Sequence, residues 1–163
     1  MAIIGILISL LVPAVSRTKE AGRSTICLNN LHQIGIGLQL YVQDNDNRLP
    51  VMYDHSTNGA APAGPAINQV LLPYVNSESN IFHCPSDREK IFELTGSSYA
   101  WNNLLNGQNA DQLQMLTNAY PLHEIFLVFD KEKFHFVRGD QRAINFLYAD
   151  GHIKNLMELQ SVQ

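Results

Sequence analysis

The sequence predicts an α+β fold, in which a long N-terminal helix lies on a small antiparallel β-sheet with loop-rich insertions. Three observations predict it. Cys27, Leu31, Ile34, Leu38 and Tyr41 recur at spacings of 4, 3, 4 and 3, which is one stripe of a helix. Ile125–Phe129 and Ala143–Tyr148 are short β-branched and aromatic runs, the composition of strands. Asp150-Gly151 closely follows the second run, and that dipeptide is a strong hairpin turn.

The helix is expected to run through residues 1–44, apolar over 2–15 and amphipathic over 16–44. No charge occurs in residues 2–15, and no proline occurs in residues 16–44. Pro13 deletes one backbone hydrogen bond and should bend the helix rather than end it, since the periodicity continues beyond it. Gly22, Gly35 and Gly37 each cost about 1 kcal/mol against alanine, so the helix needs packing to persist. Arg17, Lys19, Glu20, Arg23, Asn30 and Gln33 fall mostly off the apolar stripe.

Residues 45–163 form the second unit, a globular α+β head. Its first part reads as a loop over 43–69, because Asp44-Asn45-Asp46-Asn47 and the stretch from Asn58 to Pro65 are turn formers without periodicity. Val70–Val75 is apolar but holds Pro73, which favours a short helix over a central strand. Ser97–Asn102 suits a short strand and Asp111–Thr117 a helical turn. The strands Ile125–Phe129 and Ala143–Tyr148 are each closely followed by an aspartate, Asp130 and Asp150. His152–Leu156 then pairs as a third strand after the turn.

Composition bounds the function. The chain has 163 residues, a net charge of −4 and only 16% charged residues, so it carries no basic footprint for nucleic acid. No Gly-x-Ser-x-Gly elbow, phosphate loop or dinucleotide fingerprint occurs. A Cys84 nucleophile with a distant histidine is a formal alternative, but a thiol in a Cys-Pro turn is more often structural. The chain is therefore read as not an enzyme. The apolar end matters more. It is too short to cross hydrocarbon, which needs about 20 residues, yet such a surface is not left in water. Arg17, Lys19 and Arg23 follow it, and by the positive-inside rule alone they would place the body in the cytoplasm.

Ala2–Arg17 followed by Cys27–Gly35 resembles the N-terminal helix of bacterial prepilin-like (pseudopilin-type) proteins, of the DUF1559-like variety that carries a C-terminal His-x9-Asp-Gly signature. Further segments agree in order: Leu40-Tyr41 with Asp44-Asn45-Asp46, Leu49-Pro50, Leu71–Val75, Cys84–Asp87, Ser97–Asn102 and Asn145–His152. Asp150, Gly151 and His152 stand at the signature. Asp140 occupies the place of its histidine, and His135 is near but at another spacing.

The resemblance implies a pilin-like fold and a structural subunit anchored in the inner membrane by a single pass. Its globular domain would then be periplasmic or extracellular, the opposite of what the basic cluster alone suggests. It further implies assembly into a pilus-like filament or a type II secretion-like machine, the apolar helix exchanging lipid for the helices of other copies or other pseudopilins. Ile3, Ile4, Ile6, Leu7, Leu10, Leu11 and Pro13 are the residues expected to make those contacts. Met1 stands where such proteins carry further turns of mature helix, so the resemblance also implies an N-terminal truncation. The rival expectation is a membrane-tethered extracytoplasmic module whose loops around 43–69 and 102–122 bind a glycan or another envelope protein.

Two further expectations concern sites. Cys27 and Cys84 fit one disulfide of an exported protein, or else a buried helix thiol and an unrelated loop thiol. No cofactor is indicated, except that Asp130, Asp140 and Asp150 near strand ends offer oxygens for calcium, which pseudopilins often hold near C-terminal loops. Asp44-x-Asp46 lacks the glycine and the closing glutamate of an EF-hand. The six histidines form no His-x-x-x-His or His-Glu-x-x-His pattern, so their spacing indicates no zinc site.

Overall fold

The computed structural model describes residues 2–57, 63–75, 79–115 and 118–155, and for residues 2–14, 79 and 118–119 it describes the backbone alone. The helix α1 spans Ala2–Asp44, as its periodicity leads one to expect, and continues past Pro13. Asp46 and Asn47 end it by taking positive φ (51° and 57°), a region that these short polar side chains tolerate. Asn47 N–H donates to Val42 O and the Asn45 side-chain amide to Tyr41 O, so two of the last carbonyls find partners. Among the described residues, no helix is long and apolar enough to cross a membrane.

Beyond α1 the chain builds two short helices, α2 (Ile67–Leu71) and α3 (Ile91–Thr95), together with several 3-10 turns. The α2 turn continues into a 3-10 turn at Leu72–Tyr74, which starts with Pro73 near its head, where a missing N–H costs nothing. The helix α3 opens on Asp87, whose two carboxylate oxygens accept from Ile91 N–H and Phe92 N–H at 3.1 and 2.9 Å.

The strands are β1 (Tyr99–Trp101), β2 (Gln114–Met115), β3 (Asn118–Ala119), β4 (Phe126–Asp130), β5 (Phe146–Tyr148) and β6 (Ile153–Lys154). Four of them make one antiparallel sheet in the order β1-β4-β5-β6. Gly151 takes φ +89° in the β5–β6 turn, a conformation that glycine reaches without penalty. The stretch expected as a helical turn at 111–117 is instead partly a hairpin, with β2 paired to β3. The Gln108 side chain explains the difference. Its amide donates to Gln114 O and its oxygen accepts from Gln114 N–H, so it binds that backbone as a neighbouring strand would.

Cys27, Leu31, Ile34 and Leu38 of α1 are buried against the sheet. A Cβ on Gly35 would lie 3.3 Å from the Leu147 side chain of β5, so this glycine sets how closely helix and sheet approach. Since alternate residues of a strand face opposite sides, Phe146 points away from α1. There it gathers with Phe126 and Phe129 at centroid distances of 5.4 to 6.0 Å.

Candidate functional site

Two regions of α1 meet different surroundings. Val15 to Lys19 are all exposed, whereas Glu20 is the first buried residue in the described side chains of the helix. The helix thus projects beyond the head. Val15, Ile26, Ile36 and Leu40 are 43 to 56% exposed although apolar. At about 100° per residue these four fall within an arc of about 80°, roughly opposite the buried stripe of Cys27, Leu31, Ile34 and Leu38. Besides its buried stripe the helix therefore carries an exposed face on which these four apolar side chains alternate with Thr18, Asn29 and Gln33. The side chains of Ile3, Ile4, Ile6, Leu7, Leu10, Leu11 and Pro13 lie outside the described residues.

Where α1 enters the head, a disulfide and a polar cluster pin it. Cys27 and Cys84 are joined at 2.10 Å across 57 residues of sequence. Closing a loop of that length stabilises by about 4 kcal/mol in the chain-entropy picture. Glu20, about two turns N-terminal to Cys27, accepts from Ser86 Oγ at 2.6 Å and from Arg88 at 3.5 Å, and Arg23 stands 3.8 Å away. Asn30 is also buried, its amide donating to His83 O at 2.9 Å. Both residues lie off the apolar stripe of the helix. The Cys-Pro-Ser-Asp turn supplies buried partners for Glu20, a contact that helical spacing alone does not report.

His135 is fully buried at the centre of this cluster. Its Nε2 lies 3.8 Å from Cys84 Sγ and 3.6 Å from Asp130 Oδ2, and its Nδ1 lies 3.6 Å from Glu20 Oε1. Nδ1 and Asp130 Oδ1 are buried without a hydrogen-bond partner. Burial pushes the imidazole down to about 4, helped by the nearby Arg138 charge and opposed by Glu20. Burial also pushes Asp130 up to about 7, although Asn145 N–H and side-chain amide each donate to its Oδ2 at 2.8 Å. The neutral imidazole and the partly protonated carboxyl are the usual response of charges removed from water. Nothing in the linear spacing of Glu20, Asp130 and His135 signals this cluster, because the three come from separate elements.

The structure places the three calcium candidates in different surroundings. Strands β4 and β5 run antiparallel, so Asp130 at the end of β4 and Asp150 just after β5 lie at opposite ends of the sheet. Asp130 is buried against Asn145, Asp140 is 80% exposed and pairs with Lys133 at 2.8 Å, and Asp150 accepts from His152 in the turn. Burial raises Asp150, but the backbone and ring of His152 outweigh it and hold the carboxyl below its usual range. His152 also stacks on Tyr148 at 4.4 Å. Among the described residues, the grouping of His, Cys, Asp or Glu atoms that fits around one ion is Cys27, Cys84 and His135.

The loops around 43–69 and 102–122 meet α1 at a groove of about 300 Å³. Its walls include Leu38, Leu49, Leu113, Leu122 and Leu127. Tyr148 and the polar side chains of Gln39, Gln43, Asn47 and Asp111 share that lining.

No curated protein and no solved structure matches this chain. Residues 16–80, which run from the projecting part of α1 to the segment before the Cys84 turn, match the family model described as a protein of unknown function (DUF1559).

Proposed function

We propose that this chain is a non-enzymatic, prepilin-like (pseudopilin-type) structural subunit. Its apolar N-terminal helix anchors it in the inner membrane and packs against the helices of other subunits, while the head lies outside the cytoplasm. The observation that carries this reading is the row of exposed apolar side chains on α1, Val15, Ile26, Ile36 and Leu40, on the face away from the sheet. A monomer gains nothing from that face. A subunit that stacks head to tail covers it, and a rotation that does not close gives a filament. The uncharged run at 2–15 supports the same reading, since an apolar stem is stable in lipid or among like stems and not in water. The Cys27–Cys84 bridge fits an oxidising compartment.

The test is the assembly state of the full chain against a chain lacking residues 1–16, measured by analytical ultracentrifugation with and without detergent. The full chain should sediment as detergent-sensitive oligomers and the shortened chain as a monomer. Ile26→Glu with Leu40→Glu should shift the full chain toward smaller species. Oligomers of unchanged size in the shortened chain contradict the role.

A further inference from the structure

We propose that Cys27, Cys84 and His135 form a zinc site when the disulfide is reduced. The three residues come from α1, the Cys84 turn and the segment after β4, and their ligand atoms all lie within 4.8 Å of one another. Around a tetrahedral zinc, with Zn–S about 2.3 Å and Zn–N about 2.0–2.1 Å, a sulfur and a nitrogen stand about 3.6 Å apart. Cys84 Sγ and His135 Nε2 are already 3.8 Å apart. The two sulfurs must separate and Cys27 Sγ, which lies within 4.8 Å of the other ligand atoms, must move toward the imidazole; Cα atoms 5.1 Å apart leave both movements to side-chain rotation.

The surroundings favour an ion. Glu20 Oε1 stands 3.6 Å from His135 Nδ1, the nitrogen that would not bind metal, and Nδ1 is buried without a partner. A metal on Nε2 draws the Nδ1 proton toward this carboxylate, the arrangement that orients metal-bound histidines. The charge also balances. Two thiolates and one Zn²⁺ sum to zero beside a neutral imidazole, and the Glu20 carboxylate is matched by Arg88 and Arg23, which suits a buried place where net charge is costly. Asp130 Oδ2, 3.6 Å from Nε2, is the nearest remaining oxygen donor. Soft thiolates select zinc over the hard cations that oxygen clusters take.

The chemistry closes in two steps. A dithiol donor reduces the bridge, giving up two electrons and two protons and becoming a disulfide itself, while Cys27 and Cys84 become thiols. Zinc then forms two Zn–S bonds and one Zn–N bond, and both thiol protons pass to solvent. In a reducing compartment the ion ties α1, the Cys84 turn and the segment after β4 together, as the disulfide does in an oxidising one.

The experiment reduces the full chain with a phosphine in chelator-free buffer, adds Zn²⁺, and counts bound metal by native mass spectrometry. Competition with a chromophoric chelator gives affinity, and Co²⁺ substitution reports thiolate ligation by its charge-transfer band. One zinc should bind per reduced chain and none to the oxidised chain. Glu20→Gln should weaken zinc by about tenfold or more, and His135→Asn and Cys27→Ser by more than that. The proposal is overturned if Glu20→Gln and His135→Asn bind as tightly as the parent, or if the reduced parent binds no better than the Cys27→Ser/Cys84→Ser variant. Binding that survives unchanged in denaturant also overturns it, since an unfolded dithiol uses none of this geometry.

Discussion

Within one continuous helix, Val15 to Lys19 are exposed on every side, while Cys27, Leu31, Ile34 and Leu38 keep 2% of their surface or less. Both stretches are helical, so local propensity does not separate them. What differs is the partner. The second stretch has a sheet against it, and among the described residues the side chains of the first are all exposed. Helix stability in proteins comes mostly from packing of an apolar face, and the bare stretch therefore calls for a face supplied from outside. Glu20 marks the border, because it is the first side chain of the described helix to be buried and is drawn under the Cys84 turn.

The largest effect should come from cutting the tie at that border. Cys27→Ser with Cys84→Ser removes the constraint on a 57-residue separation and should cost about 4 kcal/mol, read from urea unfolding. An unchanged midpoint would mean that the packed stretch holds without the bridge. The next contrast sets one residue from each face side by side. Leu31→Ala should cost about 3 kcal/mol as a core truncation, whereas Ile26→Ala should stay within about 0.5 kcal/mol, as exposed substitutions do. Equal losses in the monomer would break the comparison between the two faces.

The helix glycines sharpen it further. A Cβ on Gly37 would sit 2.6 Å from the Val75 side chain, while one on Gly22 would meet nothing within 4 Å. Gly37→Ala should therefore cost about 1–3 kcal/mol through overpacking. Gly22→Ala should instead gain about 1 kcal/mol from helix propensity. Thermal unfolding should move in opposite directions for the two variants. By sequence alone the three glycines carry the same expected cost, and only tertiary contact tells them apart.

Much of the fold was legible, for physical reasons that name its limits. The 4-3-4-3 spacing of Cys27 to Tyr41 identifies the buried face of α1, because periodicity is a direct image of burial. The β4, β5 and β6 strands and the Asp150-Gly151 turn follow from side-chain type and backbone freedom, which are local. The β2–β3 hairpin was missed because a side chain, Gln108, directs it from outside the segment. Asp130 and Asp150 looked alike as residues at strand ends, and antiparallel pairing sends them apart. The cluster of Glu20, His135 and Asp130 was invisible for the same reason that makes it stable. Its members meet only after the helix, the turn and the sheet have packed.

That cluster yields the smallest expected effect, a nearly flat joint contribution of His135 and Asp130 to the pH dependence of stability between about 4 and 6.5. His135 is lowered from 6.5 to about 4. In that range the unfolded chain binds a proton that the folded chain refuses, so this group alone makes stability rise with pH. Asp130 is raised from 3.8 to about 7. Over nearly the same range the folded chain keeps a proton that the unfolded chain releases, so this group alone makes stability fall with pH. The two slopes oppose and largely cancel. Single substitutions should uncover them. In Asp130→Asn only the histidine remains, and stability should drop as pH falls from 6.5 toward 4. In His135→Gln only the carboxyl remains, and stability should drop as pH rises from about 4 to 7. Urea midpoints measured across this range for the three proteins test the sign of each slope. Parallel curves would mean that the buried border of α1 holds no such exchange of protonation, and that the two groups titrate in the folded chain as they do in the unfolded one.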